Sequence, residues 1–282
     1  MKIKSGWLLM VLTPAVSFGW GDDCDHSAER AAGTEASGVE KVVIRAGAGD
    51  MKVVGRASAV RVEARGVACA ARKELLDATL ISVRREGNVV IVETTLPDEL
   101  AGWKLGKNEY AYIDLGVALP ANLPVEVLDS SGDSKFEDLR QLTLQDSSGD
   151  LEVRRIAGLA DISDSSGDIE VEEAGSVRVR DSSGDMELRT VRGDVDIELD
   201  SSGDIRVDDV DGSVRVRQDS SGSIRIAGVK GNVDVDSDSS GDIEASRVTG
   251  NFTVSEDSSG SIDHSEIGGK VSIPPNKRDD VE

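Results

Sequence analysis

Aspartate is the residue type in this chain whose spacing could do chemistry. The word Asp-Ser-Ser-Gly occurs eight times, beginning at Asp129, Asp146, Asp164, Asp181, Asp200, Asp219, Asp238 and Asp257, at intervals of 17, 18, 17, 19, 19, 19 and 19 residues. If the words stack, the eight carboxylates form one file. The residue after the glycine is a further Asp in six of the eight, with Ser223 and Ser261 as exceptions. Like charges at the spacing of adjacent strands repel by about 1 kcal/mol per pair even in bulk water, so the file needs something to offset the repulsion. In one reading each first Asp accepts backbone N–H bonds in an Asx-type turn, with Gly supplying the unusual backbone angle. In the other the file holds calcium, which takes carboxylate and carbonyl oxygens. Turn preferences favour the first, and the nine-residue Gly-Asp-rich calcium β-roll pattern is absent. No cofactor is therefore expected, and calcium stays as the alternative.

Other reactive side chains are scarce. His26 lies in a polar stretch, and His264 takes the place where other repeats put Val207, Ile226 or Ala245. Two His and two Cys supply neither a zinc cluster nor a Cys–His nucleophile, and no Gly-x-Ser-x-Gly elbow appears. Carboxylates are numerous enough for an acid–base pair acting on polysaccharide. Such a site should break the repeat and hold sugar rings with aromatics, yet aromatics make up 3% of the chain. The expectation is no enzyme, with a polysaccharide-cleaving enzyme as the last alternative. Cys24 and Cys69 are expected to form one disulfide if the chain is exported to an oxidising compartment.

The elements that position the words follow from alternation. After the word at Asp200 come Ile205, Val207, Val210, Val214 and Val216, interleaved with Arg206, Asp208 and Arg215. Alternate side chains of a strand face opposite sides, so each repeat predicts two short strands separated by two turns. The inward set recurs as Met186, Leu188, Val191, Val195 and Ile197, as Ile224, Ile226, Val229, Val233 and Val235, and as Ile243, Ala245, Val248, Phe252 and Val254. One repeat cannot bury its own apolar row, whereas stacked copies bury a column. The predicted fold is all-β, a parallel β-helix-like solenoid of about eight regular coils of 17–19 residues with an irregular β cap at the N-terminus. An antiparallel meander is the rival, but it would not require the same chemistry at both turns of every repeat.

The N-terminal half carries a degenerate form of the pattern. Gly49-Asp50-Met51-Lys52-Val53, followed by Val60 and Val62, echoes the Gly-Asp-Ile-x-Val word and its partner strand. Val89 to Val92 and Ile113 to Leu119 predict strands, Ala70 to Leu80 a turn or two of helix, and Leu96 to Asn108 a loop. Together with Leu115 to Pro120 and the repeated Ser-Gly-Asp-Ile-x-Val word, these features resemble a bacterial β-strand-repeat family of unknown function, whose members are generally labelled candidate adhesins. The resemblance spans roughly Val39 to Ile273. It implies an exported or surface β-solenoid and supplies no catalytic residues.

Composition and charge narrow the partners. The formal net charge is −22, and it sits in the repeats: residues 129–282 hold 37 acidic and 17 basic side chains against 17 and 15 in residues 1–128. Nucleic acid is excluded as a partner, because phosphate needs a cationic footprint. Lys2 and Lys4, the apolar run Trp7 to Val16 and the small residues Ser17 and Gly19 predict a signal peptide. The run is too short to span a bilayer, so no transmembrane anchor is expected in the mature chain. The expected organisation is a signal peptide over 1–19 and a flexible mature N-terminus over 20–38. A degenerate β region follows over 39–128, then the regular solenoid over 129–273 and a polar tail over 274–282. Such a chain is expected to work in the periplasm, at the cell surface or outside the cell. Its role is that of an adhesin, binding or envelope-structural module for a surface component. Calcium, surface-lattice or polysaccharide binding by the aspartate ladder is the alternative.

Overall fold

Strict alternation of β-branched with charged residues builds strands that are buried on one face, and the computed structural model shows them stacked in parallel. It describes residues 24–97 and 109–275. The regular part comprises β8 (Pro124–Leu128), β9 (Ser134–Glu137), β10 (Gln141–Gln145), β11 (Leu151–Ser163) and β12 (Ile169–Arg180). It continues through β13 (Met186–Val191), β14 (Val195–Leu199), β15 (Ile205–Val210), β16 (Val214–Val216), β17 (Ile224–Val229) and β18 (Val233–Asp238). The last coils are β19 (Ile243–Val248), β20 (Phe252–Asp257), β21 (Ile262–Ile267) and β22 (Val271–Ser272). Each strand pairs with its counterpart one coil away: Ile205 sits over Ile224 and Val207 over Ile226, while Val214 sits over Val233 and Val216 over Val235. The meander is thereby excluded. This is an all-β solenoid of about eight turns, built as two sheets of parallel strands.

The predicted inward columns form the core. Ile205, Val207, Val214 and Val216 have no exposed surface, and the same holds for Ile224, Val233, Val235 and Phe252. Burying one Val or Ile contributes about 1.5–3 kcal/mol, and the columns place five apolar side chains, mostly of these two types, in each coil from Met186 to Val254. One residue per coil bends the chain between the two sheets with a positive φ, as at Thr190 (58°), Asp209 (57°) and Arg247 (52°). Val191, Val210 and Val248 then turn inward at the corner.

Residues before 121 extend the same two sheets in a different order. Their elements are β1 (His26–Glu35), β2 (Lys41–Arg45), β3 (Met51–Arg56), β4 (Arg61–Ala70), α1 (Lys73–Ala78), β5 (Leu80–Glu86), β6 (Val89–Thr95) and β7 (Ala111–Pro120). β2 lies between β6 and β8, and β3 lies between β7 and β9, all in parallel. The coil made first in sequence is therefore second in space. Antiparallel strands close the end: β4 pairs with β7, β1 with β4 and β5 with β6.

Two expectations require correction. The segment 20–38 is not simply a flexible lead, because His26 to Glu35 forms a ten-residue strand on β4. Main-chain pairing needs no apolar run, and Arg30 fixes this strand by donating to the carbonyls of Leu76 (2.8 Å) and Thr79 (2.9 Å). Val60 and Val62 do not form a coil strand either. Val62 is buried in antiparallel β4, whereas Val60 is 70% exposed. The predicted signal peptide lies outside the described residues, as do most of the loop over 96–108 and of the C-terminal tail.

Candidate functional site

The corner between the two sheets is written by Asp-Ser-Ser-Gly, and each of its four residues makes a file down the rod. Gly comes first, because the corner brings successive backbones together. Gly203 has a φ of +136°, and a Cβ there would run into the carbonyl oxygen of Gly184. The second Ser donates from Oγ to the carbonyl of the first Ser one coil back: Ser202 to Ser182 at 3.4 Å, Ser221 to Ser201 and Ser240 to Ser220 at 3.2 Å.

The aspartate after the glycine faces outward and caps the next coil. The amide of Asp204 donates to Asp185 Oδ1 at 2.9 Å and that of Ser223 to Asp204 Oδ1 at 2.8 Å. The series begins in the cap, where the Asp50 amide donates to Asp114 Oδ1 at 3.0 Å and the Asp133 amide to Asp50 Oδ1 at 3.1 Å. A matching series runs along the other turn. The amide of Ser213 donates to Asp194 Oδ1, that of Asn232 to Ser213 Oγ, that of Asn251 to Asn232 Oδ1 and that of Lys270 to Asn251 Oδ1, at 2.8–3.1 Å. The position after a turn glycine is thus mostly held by a short acceptor, which is Asp, Asn or, at Ser213, a serine.

The first aspartates behave differently. Asp129, Asp146, Asp164, Asp181, Asp200, Asp219 and Asp238 are 0–6% exposed, and only Asp257 stays partly open. The file is therefore turned away from any external surface lattice. The Asx-type bond from the amide two residues on is present at Asp181, Asp219, Asp238 and Asp257 at 3.1–3.3 Å, while Asp129 and Asp164 accept from the very next amide at 2.8 and 2.7 Å. At Asp146 and Asp200 neither carboxyl oxygen has a hydrogen-bond partner, and Asp164, Asp181, Asp219 and Asp238 each leave Oδ2 unpartnered. Asp129 is the better satisfied member, because Ser134 Oγ donates to its Oδ2 at 2.9 Å. Burial pushes these carboxyls up, and repulsion from neighbouring aspartates adds to it. Asp129, Asp181, Asp219 and Asp238 rise to about 6, and Asp146 and Asp200 to about 7.

The remaining candidates fall apart as sites. Among the described residues no group of three or more His, Cys, Asp or Glu is placed to hold a metal ion. His264 is exposed on the last coil, above Ala245 and 6.1 Å from the Phe252 ring. Cys24 and Cys69 form the expected disulfide, with Cα atoms 5.7 Å apart, tying the start of β1 to β4. An open groove of about 360 Å³ lies on the cap between Ala36, Val39, Val60, Pro120 and Leu123. Its one ionisable lining residue, Glu35, is paired with Arg61, so it offers apolar contact and no acid–base pair. The outer faces of the sheets are tiled with cross-coil ion pairs such as Arg217–Asp196 (2.6 Å) and Arg215–Asp236 (2.7 Å).

The sequence located the words but not the depth of their first residue. The signal for it was present in the shorter coils, where the aspartate continues the inward parity of the preceding strand, as in Val177, Val179 and Asp181; in the longer coils one extra residue breaks it, as between Ile197 and Asp200. The capping series at the second turn was missed because its residue type varies.

The Toastrack DUF4097 family model matches residues 95–273, more than half of the chain. Solved structures of similar architecture share little sequence. A candidate lipid-binding protein from Parabacteroides distasonis is 14% identical, with 89% of this chain and 98% of that chain covered and a TM-score of 0.46. A candidate adhesin from Parabacteroides merdae is 13% identical, with 89% and 97% covered and a TM-score of 0.33. A candidate cell adhesion protein from Clostridium sporogenes is 12% identical, with 88% and 100% covered and a TM-score of 0.28. No curated protein matches the chain.

Proposed function

From the premise that this chain belongs to the Toastrack DUF4097 family, we propose that it is an exported, non-enzymatic rod acting as an adhesin-like binding or envelope-structural module. The observation that carries this reading is the sameness of the coils. Each of the regular coils repeats the same inward columns and the same tight Gly corners about 4.8 Å from the last, so a partner meets a rigid, periodic rod whose outer charges vary from coil to coil. Catalysis asks for the opposite, a place where convergent groups interrupt the pattern.

Export is supported by the Cys24–Cys69 disulfide, which suits an oxidising compartment, and by the short apolar run behind Lys2 and Lys4. Among the described residues no helix is long and apolar enough to cross a membrane. Cell fractionation with intact-mass measurement tests the first half of the proposal. The mature protein should begin between about Phe18 and Asp22, and a cytoplasmic product retaining Met1 would overturn export. For the second half, purified rods are screened against envelope polysaccharides and host surface glycans, with and without calcium. Saturable retention is expected; turnover of a polysaccharide without retention would overturn the non-enzymatic reading.

A further inference from the structure

The buried aspartates form a continuous file that nothing else on the rod explains. Asp200 pairs across the sheet with Asp219, Asp219 with Asp238 and Asp238 with Asp257, so consecutive carboxyls stand one coil apart, about 4.8 Å. At least one oxygen on each from Asp146 to Asp238 is buried without a donor. A buried carboxylate lacking a donor forfeits its hydration for no return. The charged groups acting most strongly on the file are themselves aspartates: its own neighbours, the outward Asp50, Asp150, Asp168 and Asp204, and Asp257.

A metal ion would need further oxygens, and the corner carbonyls are already engaged as acceptors between coils. Around Asp200, the Ser201 carbonyl accepts from Ser221 Oγ, the Ser202 carbonyl from the Gly184 amide and the Asp200 carbonyl from the Ser220 amide. Calcium takes six to eight oxygens, and here it would have to draw most of them from carbonyls that already hold the coils together. A proton shared between neighbouring carboxyls supplies the missing donor and removes a charge at once.

We propose that the file is a proton-binding column, in which buried aspartates on adjacent coils share protons at mildly acidic pH as carboxyl–carboxylate hydrogen bonds. Two like charges at this spacing in a dry site do not both ionise, as in paired catalytic carboxylates, and the file titrates as a unit instead of residue by residue. Asp129, Asp181, Asp219 and Asp238 rise to about 6 and Asp146 and Asp200 to about 7, against about 3.9 for an unfolded aspartate. The folded chain therefore holds more protons than the unfolded chain between those values. Stability from the column is fully present below about pH 4 and is lost as pH rises through 6–7.

The test is thermal unfolding of the mature chain from pH 4.5 to 8.5 at fixed ionic strength, with Asp carboxyl carbons followed by NMR. Two variants are compared: Asp181→Asn with Asp219→Asn, which keeps acceptors for the Ser amides, and Glu244→Gln with Glu256→Gln, which removes the same charge from the exposed surface. For the unsubstituted chain Tm is expected to fall across the range, and the NMR should show a set of Asp carboxyls titrating above pH 5. The buried pair of substitutions should flatten the fall and raise Tm at pH 8 above that of the surface pair. Equal slopes in the two variants, or all Asp carboxyls titrating below pH 5, would overturn the column. So would calcium or potassium raising Tm at pH 8 more in the unsubstituted chain than in the buried variant at matched ionic strength, which would make it a cation column. Should the buried variant fail to fold, the carboxyl titration of the unsubstituted chain decides.

Discussion

Residues 26–120 and residues 124–272 continue the same two sheets, yet they are held by different means. In the regular coils amides that follow the turn glycines find side-chain acceptors on the previous coil, as Ser223 does on Asp204 and Asn251 on Asn232, while the glycine amides donate forward, as Gly203 does to the Ser221 carbonyl. A coil is thus only as well made as the neighbour beneath it, which is the nearest-neighbour coupling of a repeat rod. The cap has no previous coil. It replaces one with antiparallel strands β1, β4 and β5, a short helix that buries Leu75 and Leu76, and the Cys24–Cys69 bond. The cap still supplies Asp114 and Asp50 as the first acceptors of the corner series. Periodic chemistry propagates a rod, and aperiodic chemistry ends it.

The largest effect separates core from face within one coil. Val214→Asp puts an unpaired carboxylate into a column with no exposed surface and is expected to cost at least about 4 kcal/mol. Arg215→Asp, one residue along on a half-exposed side chain paired with Asp236, should cost less than about 1 kcal/mol. Denaturant midpoints of the two variants check both. Next come two glycines of positive φ. Gly203→Ala collides with the Gly184 backbone, whereas Gly87, with a φ of +63° in the β5–β6 turn, has open space around it. The coil substitution is expected to cost about 3 kcal/mol and the cap substitution about 1 kcal/mol, the strain of the backbone angle alone.

Removing the disulfide with Cys24→Ser and Cys69→Ser should cost about 2–4 kcal/mol, and the loss should be local. Hydrogen exchange is expected to rise through β1 and β4 while β15 to β20 keep their protection. Protection lost equally along the rod would mean that the cap and coils unfold as one unit.

Legibility in the sequence follows the same division. The columns could be read because a one-residue slip would turn Ile205 and Val207 outward, so burial enforces the pattern and the pattern shows. The threading of β2 and β3 between later strands could not be read, since their period is broken by β4, α1 and β5, and spatial order is not a local property. β1 was hidden because its residues are mostly polar and at most half-buried, although all ten are in register with β4. Inward aspartates ran against the strong tendency of carboxylates to stay in water.

The smallest effect is the most direct test of how coils are coupled. Asn232 donates its own amide to Ser213 Oγ, and its side-chain oxygen accepts from the Asn251 amide at 2.9 Å. Asn232→Ala keeps the first bond, which uses only the backbone, and deletes the second. The corner is exposed, so water can replace the lost acceptor, and the net cost should be about 1 kcal/mol, that of a single hydrogen bond. Asn232→Ser and Asn232→Asp should both cost less, because Ser213 and Asp194 already act as acceptors at this place in neighbouring coils. The readout that distinguishes coupling from simple propensity is where the loss appears. Exchange of the Asn251 amide and of β20 beyond it should quicken, while β16 on the other side stays protected, because the acceptor points one way along the rod. A symmetrical loss would show that the turn stabilises only its own coil, and that the capping series is a consequence of stacking instead of a cause.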